Sequence, residues 1–417
     1  MTAPTDVQDR IDAQTRDERR RAVRALLARS LLLADRDTDA HRLVRRHAGW
    51  LRDWFAHEAG WVLTVDAELA RLRKVPPTLG DATRPARARR GDPAFSRRRY
   101  VLVCLALADL ETADRQTTLG RLAESVVGAV AADPDLAAAG LDLDLTNRDH
   151  RRDLVAAVRL LLDLGALSRV DGDENDYVAG DGDVLYTVER SVLAGLLAAR
   201  RPPSTIDAED LDGRLTALVS EPVADTPDAR NRAMRIHLTR RLLDDPVVYL
   251  DDLSEEQQAY LARQRHRIVT AIAEATGLLA EARAEGIAMV DQAGDISDVK
   301  MPDQGTDGHL TLLLAEHLAD HLREPGGHVP GTQVEAAVVR LIGAHADHWR
   351  RDVREPGAEV VLAADAIERL EALGLIRRTE HGVLPLPAIA RYATAAPTIA
   401  GGQTSLPDLD TRRRGTP

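Results

Sequence analysis

The stretch TNRDHRRDLVAAVRLLLDLGALSRV, residues 146–170, decides the fold of this chain. Apolar residues recur on one face of a predicted helix, at Leu154, Val158, Leu161 and Leu162. Thr146 with Asp149 three residues later resembles a capping box at the start of this helix, and Gly165 is typical of a helix end. Residues 166–170 then predict a strand, turn-rich residues 171–176 follow, and residues 184–188 predict a second strand. The stretch therefore predicts a helix followed directly by a β-hairpin.

Two shorter helices are predicted upstream, over residues 97–112 and from a threonine cap over 117–124. Three helices followed by a hairpin is the order of a winged helix, in which the hairpin covers the open side of the helical core. The same order recurs near the C-terminus, with helices over 310–322, 333–348 and 365–373 and strands over 375–379 and 383–386. We expect a mainly α protein with small β-hairpin wings, built as tandem winged-helix domains.

Five segments are predicted along the chain. They are a helical region with a short hairpin (1–83), a winged helix with an arginine-rich lead-in (84–200), a middle region (201–308), a C-terminal winged helix (309–396) and a flexible tail (397–417). In the middle region, residues 278–290 and 295–301 predict a hairpin that turns at 292–294. A third winged helix there is an open alternative. In the first region, residues 17–59 predict helices and 61–65 predict a strand.

The composition restricts the class of protein. Of the 417 residues, 44% are hydrophobic and 29% are charged, as in globular proteins, and there is no apolar run of membrane-spanning length and no secretory signal. We expect a cytoplasmic protein, associated with nucleoid or plasmid DNA and not with a membrane. The net charge of −12 argues against a free-standing nucleic-acid binder, since phosphate contacts require a basic surface. Any contact with DNA must therefore be local.

The motifs of common enzymes are absent from the sequence. It contains no phosphate-binding P-loop, no dinucleotide glycine fingerprint and no Gly-x-Ser-x-Gly elbow, so we expect no enzymatic activity, no catalytic residues and no cofactor. Cys104, the only cysteine, is predicted to be a core residue because it lies in an apolar helical run.

Three patterns were weighed as metal or nuclease sites. The acidic loop 171–177 lacks the glycine and glutamate of a calcium loop, and we interpret it as a solvated wing tip. His317 and His321 lie four residues apart on a predicted helix, and His345 with His348 could complete a zinc site, although surface histidines are commoner. Aspartate pairs at 244–245 and 251–252 suggest helix caps more than a nuclease. We predict no metal ligands.

Arginines give the strongest functional signal. At 100° per residue, Arg148, Arg152 and Arg159 fall within about 40° on the third helix of the winged helix, the element that can enter a major groove. The lead-in 84–99 holds seven arginines and one acid, Asp92, and ends in three consecutive basic residues, Arg97, Arg98 and Arg99. These six arginines are the candidate DNA-binding residues.

The alternative is that the arginines are neutralised by nearby acids, namely Asp149, Asp153 and Asp163. The third helix of the C-terminal winged helix carries Glu368 and Glu371 beside Arg369, so it has no basic face. That domain is predicted to bind protein.

Six segments between about residues 20 and 320 resemble one known family. They are RRHAGWLRDWF (45–55), RRRYVLVCLAL (97–107), RQTTLGR (115–121), LDDPVVY (243–249), AEGIAMVD (284–291) and GTDGH (305–309). In these segments the chain resembles the MukE-like, KITE-type subunit of Wadjet plasmid-defence systems, which are related to SMC (condensin-type) complexes.

The resemblance implies tandem winged helices that form a homodimer and bind a kleisin-like subunit. It implies further partners, an SMC-like ATPase and a Toprim-type nuclease, and weak, non-specific contact with double-stranded DNA. It assigns none of these roles to individual side chains. The expected function is that of a non-catalytic accessory subunit. Two competing interpretations are a winged-helix transcriptional regulator that reads base edges and an enzyme with an unrecognised metal site.

Overall fold

The computed structural model describes residues 4–77, 79–88, 92–196, 205–207, 210–323, 327–345 and 347–393. The described residues form two compact parts: one lies within residues 4–300 together with 372–374, and the other within residues 301–371 together with 375–393. The described residues are mostly helical with small antiparallel sheets, which confirms the prediction of a mainly α fold with small β elements. The division into five segments stays a prediction, and the predicted tail 397–417 lies outside the described residues.

One order of elements recurs within the first part: a helix, a strand, one or more helices, and a hairpin whose last strand pairs with the first strand. We call it the recurring unit. The first recurring unit consists of α1 (Pro4–Ala28), β1 (Leu31–Leu33), α2 (Thr38–Arg46), α3 (Ala48–Trp54), β2 (Val62–Val65) and β3 (Leu69–Arg73). Its strand order is β1-β3-β2, fully antiparallel. Trp61 and Phe55 are fully buried in its core.

Strand β1 was missed in the sequence, where residues 17–59 were predicted to be helical. Leu31, Leu32 and Leu33 are all buried, and the strand exists because β3 supplies its hydrogen-bonding partner. A run of three leucines carries no alternation that would distinguish a strand from a helix. The predicted strand at 61–65 corresponds to β2.

The second recurring unit contains residues 146–170, the stretch that predicts a helix followed by a hairpin. Its elements are α4 (Arg97–Thr112), β4 (Gln116–Thr118), α5 (Leu119–Ala132), α6 (Pro134–Ala138), α7 (Arg148–Asp163), β5 (Leu167–Asp171), α8 (Glu174–Ala179) and β6 (Leu185–Val188), followed by α9 (Arg190–Leu196). The strand order is again first, third, second, here β4-β6-β5. Asn147, not Thr146, caps α7 through its side chain, because Thr146 bonds to Asp144. The helix and both strands occur where the sequence predicted them.

Cys104 is exposed, so its prediction as a core residue is wrong. The buried face of α4 is formed by Leu102, Val103, Ala106 and Leu110. Because the whole run is apolar, the sequence does not show which face of α4 meets the core, and Cys104 lies off the buried face.

The third recurring unit follows α10 (Leu211–Val219). It comprises α11 (Pro227–Asp244), β7 (Val248–Tyr249), α12 (Glu255–Thr276), β8 (Leu279–Ala282) and β9 (Gly286–Val290), with strand order β7-β9-β8. The predicted hairpin turn at 292–294 is wrong, since the chain turns at residues 283–285. Gly286 makes this pairing possible: a Cβ atom there would lie 2.4 Å from the carbonyl oxygen of Val248 on the adjacent strand.

Buried charges join the first and third recurring units. Arg24 on α1 donates hydrogen bonds to the Asp291 carboxylate at 2.7 Å and to the Thr276 carbonyl oxygen at 3.0 Å, and it also pairs with Asp295. The Arg24 side chain is 10% exposed and that of Asp291 is 4% exposed. Nearby, the Lys74 ammonium lies 2.7 Å from the Asp244 carboxylate. The segment that follows β9 is thus anchored to α1 by charge pairs.

The second compact part, described by itself, follows the same order. It contains α13 (Gly305–Asp320), α14 (Gly331–His345), α15 (Ala358–Ala372), β10 (Ile376–Thr379) and β11 (Gly382–Pro385). Between α13 and α14, Val329 forms an isolated bridge with Val383 of β11, at the position of the first strand in the other units. The described residues thus contain the recurring unit four times.

Candidate functional site

A groove of about 360 Å³ lies along α7. It brings together four of the six candidate arginines: Arg99, Arg148, Arg152 and Arg159. Asn175 of α8 is a further polar residue of the lining, and Asp92 and Pro93 of the lead-in lie on the other side. The three arginines of α7 share one side of the helix, as their spacing predicted, whereas Arg99 reaches the groove from the start of α4.

The arginines of the groove are only partly neutralised. The Asp153 carboxylate pairs with Arg99 at 2.8 Å and with Arg98 at 3.5 Å. Arg152 lies 2.8 Å from Asp149, in a pair whose side chains are 54% and 75% exposed. Such exposed pairs contribute about 0–1 kcal/mol and exchange readily for another anion.

The other two groove arginines on α7 form no ion pair with a carboxylate of the described residues. Arg159 donates to the neutral amide oxygen of Asn175 at 2.8 Å. Arg148 is exposed, and no carboxylate among the described residues pairs with it. The backbone carbonyl of Asp163, the third acid weighed above, accepts a hydrogen bond from Arg36. The groove therefore presents positive charge at Arg148 and Arg159.

Two candidate arginines lie outside the groove lining. Arg97 is exposed at the first residue of α4, and Arg98 is half-buried beside Asp153. The three consecutive arginines therefore do not act as one patch, because successive residues of a helix point about 100° apart.

Residues that were not predicted to be functional fix the position of α8 and the β5–β6 hairpin beside the groove. Arg151 donates to the carbonyl oxygens of Leu145 at 2.7 Å and Val178 at 3.1 Å, tying α7 to α8. Buried Glu174 accepts a hydrogen bond from the Tyr186 hydroxyl at 3.0 Å and pairs with Arg169 at 3.0 Å. Burial, together with the Glu174 charge, raises the pKa of Tyr186 well above its usual range, so this hydroxyl stays a donor.

The sequence held one signal for this arrangement. Residues 171–176 were predicted to be a turn. In the structure Asp173 caps a short helix, α8, because its side chain accepts a hydrogen bond from the backbone N–H of Asn175. An N-cap followed by acidic residues is typical of a helix start. Helix α8 therefore places the side-chain oxygen of Asn175 within hydrogen-bond distance of Arg159.

The histidines considered as zinc ligands pack against aromatic rings. The rings of His317 and His321 are 4.9 Å apart, and burial followed by the His321 charge lowers the pKa of His317. His345 lies instead against His309 and Trp349, with ring centroids at 5.2 Å and 5.5 Å. Within the described ranges, no three His, Cys, Asp or Glu side chains form a metal-binding group.

The aspartate pair 244–245 is engaged in ion pairs. Asp244 pairs with Lys74 and Asp245 with Arg241, each at 2.7 Å.

The part of the chain that the structure describes contains no helix long and apolar enough to cross a lipid bilayer.

Comparison with known protein families gives a match over most of the chain. Residues 23–395 match the family described as "Protein of unknown function (DUF2398)". No curated protein and no solved structure matches the chain. The family match covers the last six residues of α1 and every later element through β11, and so includes the groove and the second, third and fourth recurring units in full. The chain belongs to the DUF2398 family.

Proposed function

We propose that the recurring unit is a winged helix and that the chain is a non-catalytic accessory subunit of an SMC-like anti-plasmid defence complex. In this role it binds a kleisin-like subunit, forms a homodimer and contacts double-stranded DNA without sequence preference, while an SMC-like ATPase and a Toprim-type nuclease carry the chemistry. The element order of the units and the sequence segments that resemble the MukE-like family support the proposal.

The groove on α7 is the observation that carries the DNA contact. Guanidinium groups bind phosphate through charge-assisted hydrogen bonds, and two arginines of the groove have no carboxylate partner among the described residues. In a winged helix, the helix before the hairpin is the one that approaches DNA. In a chain of net charge −12, this groove concentrates positive charge on a helix of that kind.

The nature of the groove favours phosphate contact over base reading. Val155 and Ala156 in the middle of α7 also line the groove, and they are only 2% and 5% exposed. The middle of α7 therefore offers few groups to base edges, and four of the six polar side chains that line the groove are arginines. A transcriptional regulator would require the opposite arrangement.

The triple variant Arg148→Gln/Arg152→Gln/Arg159→Gln is expected to bind a 40-base-pair duplex about 30-fold more weakly than the wild type at 50 mM salt, and to lower the slope of log K against log[salt] by about 2 to 3. Fluorescence anisotropy with several unrelated sequences measures both quantities. The loss should be the same for every sequence, because phosphates are equivalent.

The matched control is Arg21→Gln/Arg42→Gln/Arg45→Gln, which removes the same charge from exposed positions of α1 and α2. Its affinity should stay within about threefold of the wild type, since distant surface charges are screened. Equal losses in both triple variants would contradict a local site. Tight binding of one sequence over all others would favour the regulator instead.

Partner binding is tested by co-expressing the chain with the kleisin-like product of its own operon. We expect a stable complex that contains two copies of this chain, measured by affinity capture followed by light scattering. A chain that remains free of the kleisin-like protein would refute the accessory-subunit proposal, whatever its affinity for DNA.

A further inference from the structure

A second basic surface lies on α12, in the third recurring unit. Arg263, His266 and Arg267 are all exposed, and at 100° per residue they fall within an arc of about 100°. The opposite face of α12 packs into the core through Leu261, Ile268 and Ile272. The basic side chains are thus directed away from the core by the same periodicity that buries the apolar ones.

The guanidinium groups of this surface are not paired. No carboxylate of the described residues lies within ion-pair distance of Arg263 or Arg267, and Arg265 on the flank of the helix is exposed as well. Arg24, Arg240 and Arg241 differ from these arginines, because they are buried beside carboxylates. Arginines exposed in this way add nothing to packing and leave their donors available to a ligand.

The place of α12 in its unit matches that of α7. Each is the long helix immediately before the hairpin, α12 before β8–β9 and α7 before β5–β6. The corresponding helix of the fourth unit, α15, carries Glu368 and Glu371, and Glu371 pairs with Arg378 at 2.8 Å. Exposed basic residues at this position are therefore a property of particular units and not of the fold.

We propose that the exposed face of α12 is a second DNA-contacting surface, which binds the phosphate backbone of a duplex through Arg263 and Arg267. The inference rests on the proposed function, since it assigns the same ligand to a second unit. The basic surface on α12 is short, because a glutamate lies on the same side of the helix at each end of it. Glu256 lies seven residues, or about 10 Å, before Arg263, and Glu274 lies seven residues, or about 10 Å, after Arg267. The basic surface is about one helical turn long and suits one or two phosphates.

The test uses the full-length chain and the double variant Arg263→Gln/Arg267→Gln. The duplex and the anisotropy measurement are those described above. We expect affinity at 50 mM salt to fall about five- to tenfold and the salt slope to fall by about 1 to 2, for every sequence tested. Arg42→Gln/Arg45→Gln removes the same charge and is expected to stay within about twofold of the wild type.

The outcomes separate this inference from the proposed function. If the wild type binds DNA, the α7 triple variant loses affinity and the α12 double variant matches its control, the second surface is refuted and the first stands. If the α12 variant keeps its DNA affinity and fails to co-purify with the kleisin-like subunit, the surface binds protein and the inference is likewise overturned. If the wild type binds no duplex at 50 mM salt, both proposals of DNA contact fail.

Discussion

Arg24→Met is expected to lower the free energy of unfolding of the first compact part by about 3–5 kcal/mol. The substitution keeps most of the apolar stem of the side chain but removes the guanidinium that holds Asp291, Asp295 and the Thr276 carbonyl. Asp291 would then be a carboxylate with a side chain only 4% exposed and no cation beside it. An uncompensated buried charge costs more than the pair contributes, so the loss exceeds that of an ordinary ion pair.

Hydrogen exchange is the suitable measurement, because a chain with two compact parts need not unfold in one step. Amides of α12 and β9 should exchange faster in Arg24→Met under conditions that leave α13 and α14 unchanged. Arg21→Met is the control, since Arg21 is 61% exposed and its pair with Asp17 at 3.6 Å is a surface pair. Equal protection in the two variants would show that the Arg24 cluster does not stabilise this part.

The same substitution has a pH dependence of known sign. Burial raises the pKa of Asp291, but hydrogen bonds from Arg24 and the Ile296 amide outweigh burial and lower it below its ordinary value. A lowered pKa in the folded state gives stability that is complete above the unfolded pKa of about 3.9 and is lost as the pH falls through the folded value. The difference between wild type and Arg24→Met should therefore shrink as the pH falls from the pKa that burial gives Asp291 in the variant to the lower pKa that Asp291 has beside Arg24.

Trp61→Ala is expected to cost about 3–5 kcal/mol in the first recurring unit. Trp61 is fully buried, its ring centroid lies 6.2 Å from that of Phe55, and the Lys74 ammonium stands 5.1 Å from the ring. Removing the indole leaves a cavity against Phe55 and removes the cation–π contact of Lys74. Faster exchange of the β2 and β3 amides, or a lower urea midpoint followed by circular dichroism, measures the loss.

Trp61→Phe is the informative comparison. The indole Nε1 is buried and has no hydrogen-bond partner in the described part of the protein, so a phenyl ring gives up volume without breaking a hydrogen bond. We expect a cost of about 1 kcal/mol, well below that of alanine. If phenylalanine is as damaging as alanine, a polar contact of the indole, and not its volume, stabilises the core.

Sequence periodicity predicted the elements that are amphipathic over several turns. Helix α7 and its hairpin were located correctly because the apolar spacing runs for about two turns, from Leu154 to Leu162, and is followed by Gly165. Strand β1 and the turn of the β8–β9 hairpin were missed, since both depend on a partner strand distant in sequence. Three or four residues contain too little periodicity to reveal such pairing.

The candidate site was predictable to a similar degree. Helical spacing placed Arg148, Arg152 and Arg159 on one side of α7, and they share the groove. The addition of Arg99 and Asn175 depends on how α4 and α8 pack against α7, which spacing within one helix cannot reveal. The sequence also did not show that Arg263 and Arg267 form no ion pair with the described residues, because ion pairing depends on which acids the fold brings near.

The strand order of the recurring unit also sets the sequence of events during synthesis of the chain. The first strand of each unit pairs only with the last, so β1 has no partner until β3 has left the ribosome. The 36 residues that follow Leu33, up to Leu69, take about 2 to 7 s to translate at about 5–20 residues per second. During that interval the leucine strand has an unpaired edge within the nascent polypeptide, and unpaired strand edges favour pairing with other chains.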